Sequence, residues 1–88
     1  MTSQDTYYLV IPTVTSKTVI SGTLDAFNRY LKTNFTSMED LADAVQTNVD
    51  YQRAFTVDEW AVGSISVSKN PVVSDHQLSV DDLINENL

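Results

Sequence analysis

Residues 6–14, Thr-Tyr-Tyr-Leu-Val-Ile-Pro-Thr-Val, are aromatic and β-branched and predict a strand. Tyr7, Leu9 and Ile11 share one face; Tyr8 and Val10 share the other. Pro12 donates no hydrogen bond, so the strand is placed at an edge or bulged there. Thr15-Ser16-Lys17 reads as a turn, and Thr18 to Ser21 as a returning strand that ends at Gly22.

The period then changes from two to that of a helix. Over residues 24–35, Leu24, Phe27, Leu31 and Phe35 fall within about an 80° arc. Thr23 can cap this helix, and Asp25 stands four residues before Arg29, the favourable order for an ion pair. A second helix follows at the capping-box variant Ser37-Met38-Glu39-Asp40. Met38, Leu41, Ala42, Val45 and Val49 give it an apolar arc of about 100°. The short gap between the helices predicts antiparallel neighbours.

Thr56-Val57-Asp58-Glu59 looks like another capping box and one helical turn. Trp60 to Ser68 is β-branched and serine-rich and reads as a strand, with Gly63 marking a bulge or a close backbone approach. Asn70-Pro71 signals a turn, and Val72 and Val73 start a short fourth strand. Ser79-Val80-Asp81-Asp82 caps a last helix with Leu83, Ile84 and Leu88 on one side. The order ββααβ(β)α predicts an α+β fold. A small antiparallel sheet of three or four strands carries two or three helices on one face.

Composition narrows the chemistry. The 88 residues allow a single domain, 1–88. Two glycines cannot build either common phosphate-cradling loop, and one histidine cannot form a His-x-x-x-His zinc pair. The absence of cysteine removes disulfides, iron–sulfur clusters and a thiol nucleophile. No residue is assigned a catalytic, cofactor-binding or metal role, and no cofactor is expected. The start lacks a basic and an apolar signal region, and the longest apolar run, from Tyr7 to Ile11, is far short of a membrane span. A cytoplasmic location without membrane contact is therefore expected.

The charge of −7 reflects scarce bases, 5 against 12 acids. It is uneven. Residues 1–35 carry two acids against three bases, a net of +1; residues 36–88 carry ten against two, a net of −8. Direct nucleic-acid binding through a basic patch is not expected. A solvated surface explains most such charge; a protein partner with a basic surface is the sharper reading.

Candidate chemistry is sparse. Ser74, Asp75, His76 and Ser79 supply the residue types of a nucleophile–base–orienter set, but a polar loop has the same composition. Glu39, Asp40 and Asp43, and Asp81, Asp82 and Glu86, lie in first turns or opposite apolar stripes. There, capping and solvation account for carboxylates without any acid–base role. On the second helix, Glu39, Asp43 and Asp50 fall within about 40° of one another at 100° per residue. That is a negative stripe about 16 Å long. Duplex DNA places roughly ten charges on that length, against these three.

The function expected is a small acidic, non-enzymatic protein-binding module. Its partner-binding residues are Glu39, Asp43 and Asp50 on the second helix and Asp81, Asp82 and Glu86 on the last. One alternative is an inhibitor that mimics nucleic acid and occupies a nucleic-acid-binding enzyme. Another is a homo-oligomeric structural subunit, suggested by the small core, a candidate edge strand and the spare aromatics Tyr7, Tyr8 and Trp60. Size and acidity are also compatible with a phage accessory protein.

Overall fold

The computed structural model describes residues 5–55 and 60–86. Their elements run β1 (Thr6–Pro12), β2 (Lys17–Thr23), α1 (Leu24–Leu31), α2 (Met38–Thr47), α3 (Val49–Phe55), β3 (Ser66–Ser68), β4 (His76–Ser79) and α4 (Val80–Glu86). The fold is α+β, as the pattern predicts, with four strands and four helices among the described residues. The Thr56-Val57-Asp58-Glu59 box and Leu88 lie outside those residues.

β1 and β2 form an antiparallel hairpin in which Leu9 faces Ile20 and Ile11 faces Thr18. Its turn is closed by Thr13, whose backbone N–H donates to the Ser16 carbonyl at 2.7 Å. The Thr13 hydroxyl donates to the same carbonyl and accepts from the Ser16 N–H. Pro12 ends the strand, and its carbonyl accepts from Val62 N–H at 2.9 Å. Beyond that point β3 pairs with β1 from Val10↔Ser66 to Tyr8↔Ser68. The chain therefore rejoins β1 out of step across Gly63, and only the end of the predicted 60–68 strand is regular.

The strand order is β3-β1-β2-β4. The sheet is mixed rather than wholly antiparallel, because β4 pairs with β2 in parallel, from Thr18↔His76 to Ser21↔Ser79. The fourth strand lies at His76–Ser79 and not at Val72-Val73. The reason is the return path. β2, β3 and β4 all run against β1, so the chain must cross the sheet from one edge to the other before β4 begins. Residues 69–75 are that crossing.

Leu9, Ile11 and Ile20 face the helices and form one cluster with Phe27, Leu41, Val45, Phe55 and Val80. Burying side chains of this size stabilises by about 1.5–3 kcal/mol each. α1 starts at Thr23, whose side chain accepts from Ala26 N–H, and stops at Lys32 in the left-handed conformation (φ 59°). The predicted helix therefore ends short of Phe35, which is half-buried. Asn28 organises the exit: it accepts from Phe35 N–H and the Thr33 hydroxyl, and donates to the Phe35 carbonyl. α1 packs chiefly against α4, and α2 against α3, so α1 and α2 are not each other's main neighbours.

α4 follows β4 directly, as α1 follows β2. Gly22 permits this. A Cβ there would stand 3.1 Å from Val80 Cβ and 3.2 Å from its Cγ2. Gly22→Ala is expected to push α4 from the sheet and cost about 1–3 kcal/mol; an unchanged denaturant midpoint would count against this packing.

Tyr30 links α1 to the end of α3. Its hydroxyl donates to the Ala54 carbonyl at 2.6 Å, and its ring lies 5.4 Å from that of Phe55. Burial raises the phenol above its ordinary value, and the Glu86 carboxylate adds to this. A raised phenol pKa means the folded state holds its proton longer than the unfolded chain. The associated stability is complete below pH about 10 and falls as pH climbs through the folded value. Tyr30→Phe is expected to cost about 1 kcal/mol at neutral pH by orphaning the carbonyl. It should also flatten the loss of melting temperature above pH about 10; parallel curves for the two proteins would refute the assignment.

Candidate functional site

The predicted stripe of Glu39, Asp43 and Asp50 requires one continuous helix, and the chain does not make one. α2 stops at Thr47, and α3 begins at Val49. Asn48 between them serves both helices. Its N–H donates to the Ala44 carbonyl at 2.9 Å, closing α2, and its side-chain oxygen accepts from Asp50 N–H at 3.0 Å, opening α3. Asn suits this position because its short amide satisfies an orphan donor at a helix start. Thr47 adds to the break by donating its hydroxyl back to the Asp43 and Ala44 carbonyls.

Two corrections follow. Val49 leaves the apolar arc and is 46% exposed. Asp50 sits in the first turn of α3, while Glu39 and Asp43 stay on α2.

The break is fixed by Gln52, which is buried. Its amide donates to the Val45 and Gln46 carbonyls at 3.0 and 3.1 Å, and its oxygen accepts from Ala61 N–H. Gln46 reaches the same returning chain, accepting from Ile65 N–H at 2.6 Å. These two amides hold α2, α3 and the approach to β3 together. Periodicity gives no sign of them, since a glutamine on a helix reads as solvent-facing.

The second acidic group is on α4. Parallel pairing brings β2 and β4 to the same end of the sheet, so α1 and α4 start side by side. Asp25, Asp81 and Asp82 lie in those first turns, where carboxylates complement the positive helix ends. Glu86 is at the other end of α4, near Tyr30.

All six predicted partner-binding carboxylates, of Glu39, Asp43, Asp50, Asp81, Asp82 and Glu86, are exposed. None makes a side-chain hydrogen bond or ion pair among the described residues. The one ion pair there joins Arg29 to Asp25 at 3.0 Å, as the sequence spacing predicts. The Arg53 guanidinium lies 5.0 Å from the Trp60 ring, and Lys69 Nζ lies 5.8 Å from the Tyr7 ring. Three of the five cations are thus engaged within the fold, while Asp25 alone of the described acids has an ion-pair partner among the described residues.

The polar cluster around His76 is spread along an edge. Ser74 donates its hydroxyl to the Lys17 carbonyl and accepts from His76 N–H, so its proton is committed to the backbone. His76 is exposed. Among the described residues no group of three or more His, Asp or Glu side chains is placed to hold a metal ion. No helix there is long and apolar enough to cross a membrane. Trp60 stands outside the core at 46% exposure, whereas Phe55, which the periodic arcs did not include, is inside it.

Asn48→Ala is expected to cost about 1 kcal/mol, the usual loss of a side-chain cap, and Asn48→Asp to retain most of the stability. Equal denaturant midpoints for the alanine variant and the parent would show that the cap does not hold the break. Comparison of the chain with known protein families, curated proteins and solved structures finds no match.

Proposed function

We propose that the protein is a non-enzymatic binding module that captures a protein partner with a basic surface through the carboxylates of α2, α3 and α4. The observation that carries this reading is the contrast in how charges are used. Arg29, Arg53 and Lys69 are engaged with neighbours in the fold, and the six outward carboxylates are not. A free exposed carboxylate can pair with an incoming cation without first breaking an internal bond. Such charges act mainly on the rate and specificity of encounter, and their effect fades with salt.

The two acidic groups are separate levers. Glu39 and Asp43 project from α2, and Asp81 and Asp82 from the start of α4. The break at Asn48 turns Asp50 away from a straight continuation of the first group, so the charge is distributed over short helices rather than along one rod.

The test is capture from the native host's lysate by the tagged protein, with identification by mass spectrometry, at low and high salt. A dominant basic partner is expected. Its capture should weaken about tenfold or more on combined Glu39→Lys and Asp43→Lys reversal, or on Asp81→Lys with Asp82→Lys. A partner held equally by both reversed proteins, or recovery of the protein alone at every salt, would overturn the reading. Release of the partner by duplex DNA would identify a nucleic-acid enzyme as the target.

A further inference from the structure

Val19 is fully buried although it sits on the face of the sheet away from the helices. Residues alternate along β2, so Ile20 enters the helical core and Val19 points to the opposite side. Val19 is no part of the core cluster. Its neighbours within the sheet are Val10 on β1 and Gln77 on β4. Such neighbours shield a side chain laterally and leave its top open, so something must lie across it.

The crossing segment 69–75 passes from β3 to β4 along this face. Gln77 shares the face of Val19, and its amide donates to the Val72 carbonyl at 3.3 Å, which ties the segment to that side of the sheet. The far end of the strap is tied where the Ser74 hydroxyl donates to the Lys17 carbonyl. At its near end Ser68 and Asn70 bond each other in a tight turn.

The segment buries little of itself. Val73 is 83% exposed, and Lys69, Asn70, Pro71 and Asp75 are exposed as well. Its ties are exposed side-chain bonds and the contact of Lys69 with the Tyr7 ring, with no regular backbone ladder between Ser68 and His76. Few buried apolar contacts and solvent-exposed hydrogen bonds mark the segments that open locally at far lower cost than the whole fold.

We propose that residues 69–75 are a strap that covers Val19 and opens by local release, exposing it while the helical core stays closed. The two faces of the sheet then have different stabilities. The helical face opens with global unfolding, and the strapped face opens before it.

The absence of cysteine makes the test clean. Val19→Cys and Ile20→Cys each introduce a single thiol on adjacent residues and opposite faces. Labelling with N-ethylmaleimide is followed across low denaturant, alongside global unfolding of each variant by circular dichroism. The Val19→Cys thiol is expected to react at least tenfold faster than the Ile20→Cys thiol, with a rate nearly independent of denaturant. Gln77→Ala, which removes the tie to Val72, should speed the first several-fold and leave the second unchanged. If Val19→Cys does not fold, the half-buried Val10→Cys thiol serves instead and is read by its response to Gln77→Ala alone, which is expected to speed its labelling and, by leaving it unchanged, would overturn the proposal. Labelling of both faces at one rate, with the denaturant slope of global unfolding, would overturn the proposal.

Discussion

The direction of β1 governs the rest of the architecture. It runs against β2, β3 and β4, which are therefore parallel to one another although they lie on both sides of it. Parallel strands cannot be joined by a tight turn. The chain must cross from β2 to β3 and then return from β3 to β4. The first crossing carries α1, α2 and α3 over one face. Parallel crossovers strongly favour one hand. A return in the opposite lateral direction keeps that hand only by passing over the other face. The strap at 69–75 is thus a consequence of strand direction, and so is the pairing of helix starts at Leu24 and Val80.

Side-chain amides make the connections that this topology demands. With only two glycines and two prolines, the chain has little of the usual turn chemistry. Asn28 shapes the exit from α1, Asn48 divides α2 from α3, and Gln46 and Gln52 anchor the approach to β3. Lys32 occupies a left-handed position that glycine would take more easily. Each amide offers both a donor and an acceptor, so one residue can satisfy several backbone groups that have no ladder partner. Gln52 shows the stakes: buried, it binds carbonyls at the end of α2 and an N–H of the returning chain. A hydrocarbon there would leave those groups unsatisfied.

Local chemistry was legible where one element decided it alone. The caps at Thr23 and Ser37, the Asp25–Arg29 pair and the inward faces of Leu9 and Ile11 all follow from spacing. The misreadings share a cause. Val49 fits the period of α2, and nothing in that period reveals that Asn48 can close one helix and open the next. β4 is an edge strand with Leu78 partly buried and its neighbours His76 and Gln77 exposed, so it carries no alternating signal. Val72 and Val73 have strand composition but form the strap, because the chain still has to cross the sheet at that point. Of the candidate site, the exposure of the acids was readable, and their division among three short helices was not.

That division separates the acids by what the fold gains from them. Glu39, Asp50, Asp81 and Asp82 lie in first turns, where a carboxylate stabilises a helix start by about 0.3–1 kcal/mol. Their presence has a folding explanation whatever else they do. Asp43 does not. It lies inside α2, where aspartate is a poorer helix former than alanine by about half a kcal/mol. Its carboxylate makes no bond among the described residues to offset that cost. A charge that weakens its own helix and points to solvent contributes to the surface field alone. Asp43 is therefore the position at which folding and surface charge are cleanly separable, and an effect on capture there cannot be attributed to a lost helix start.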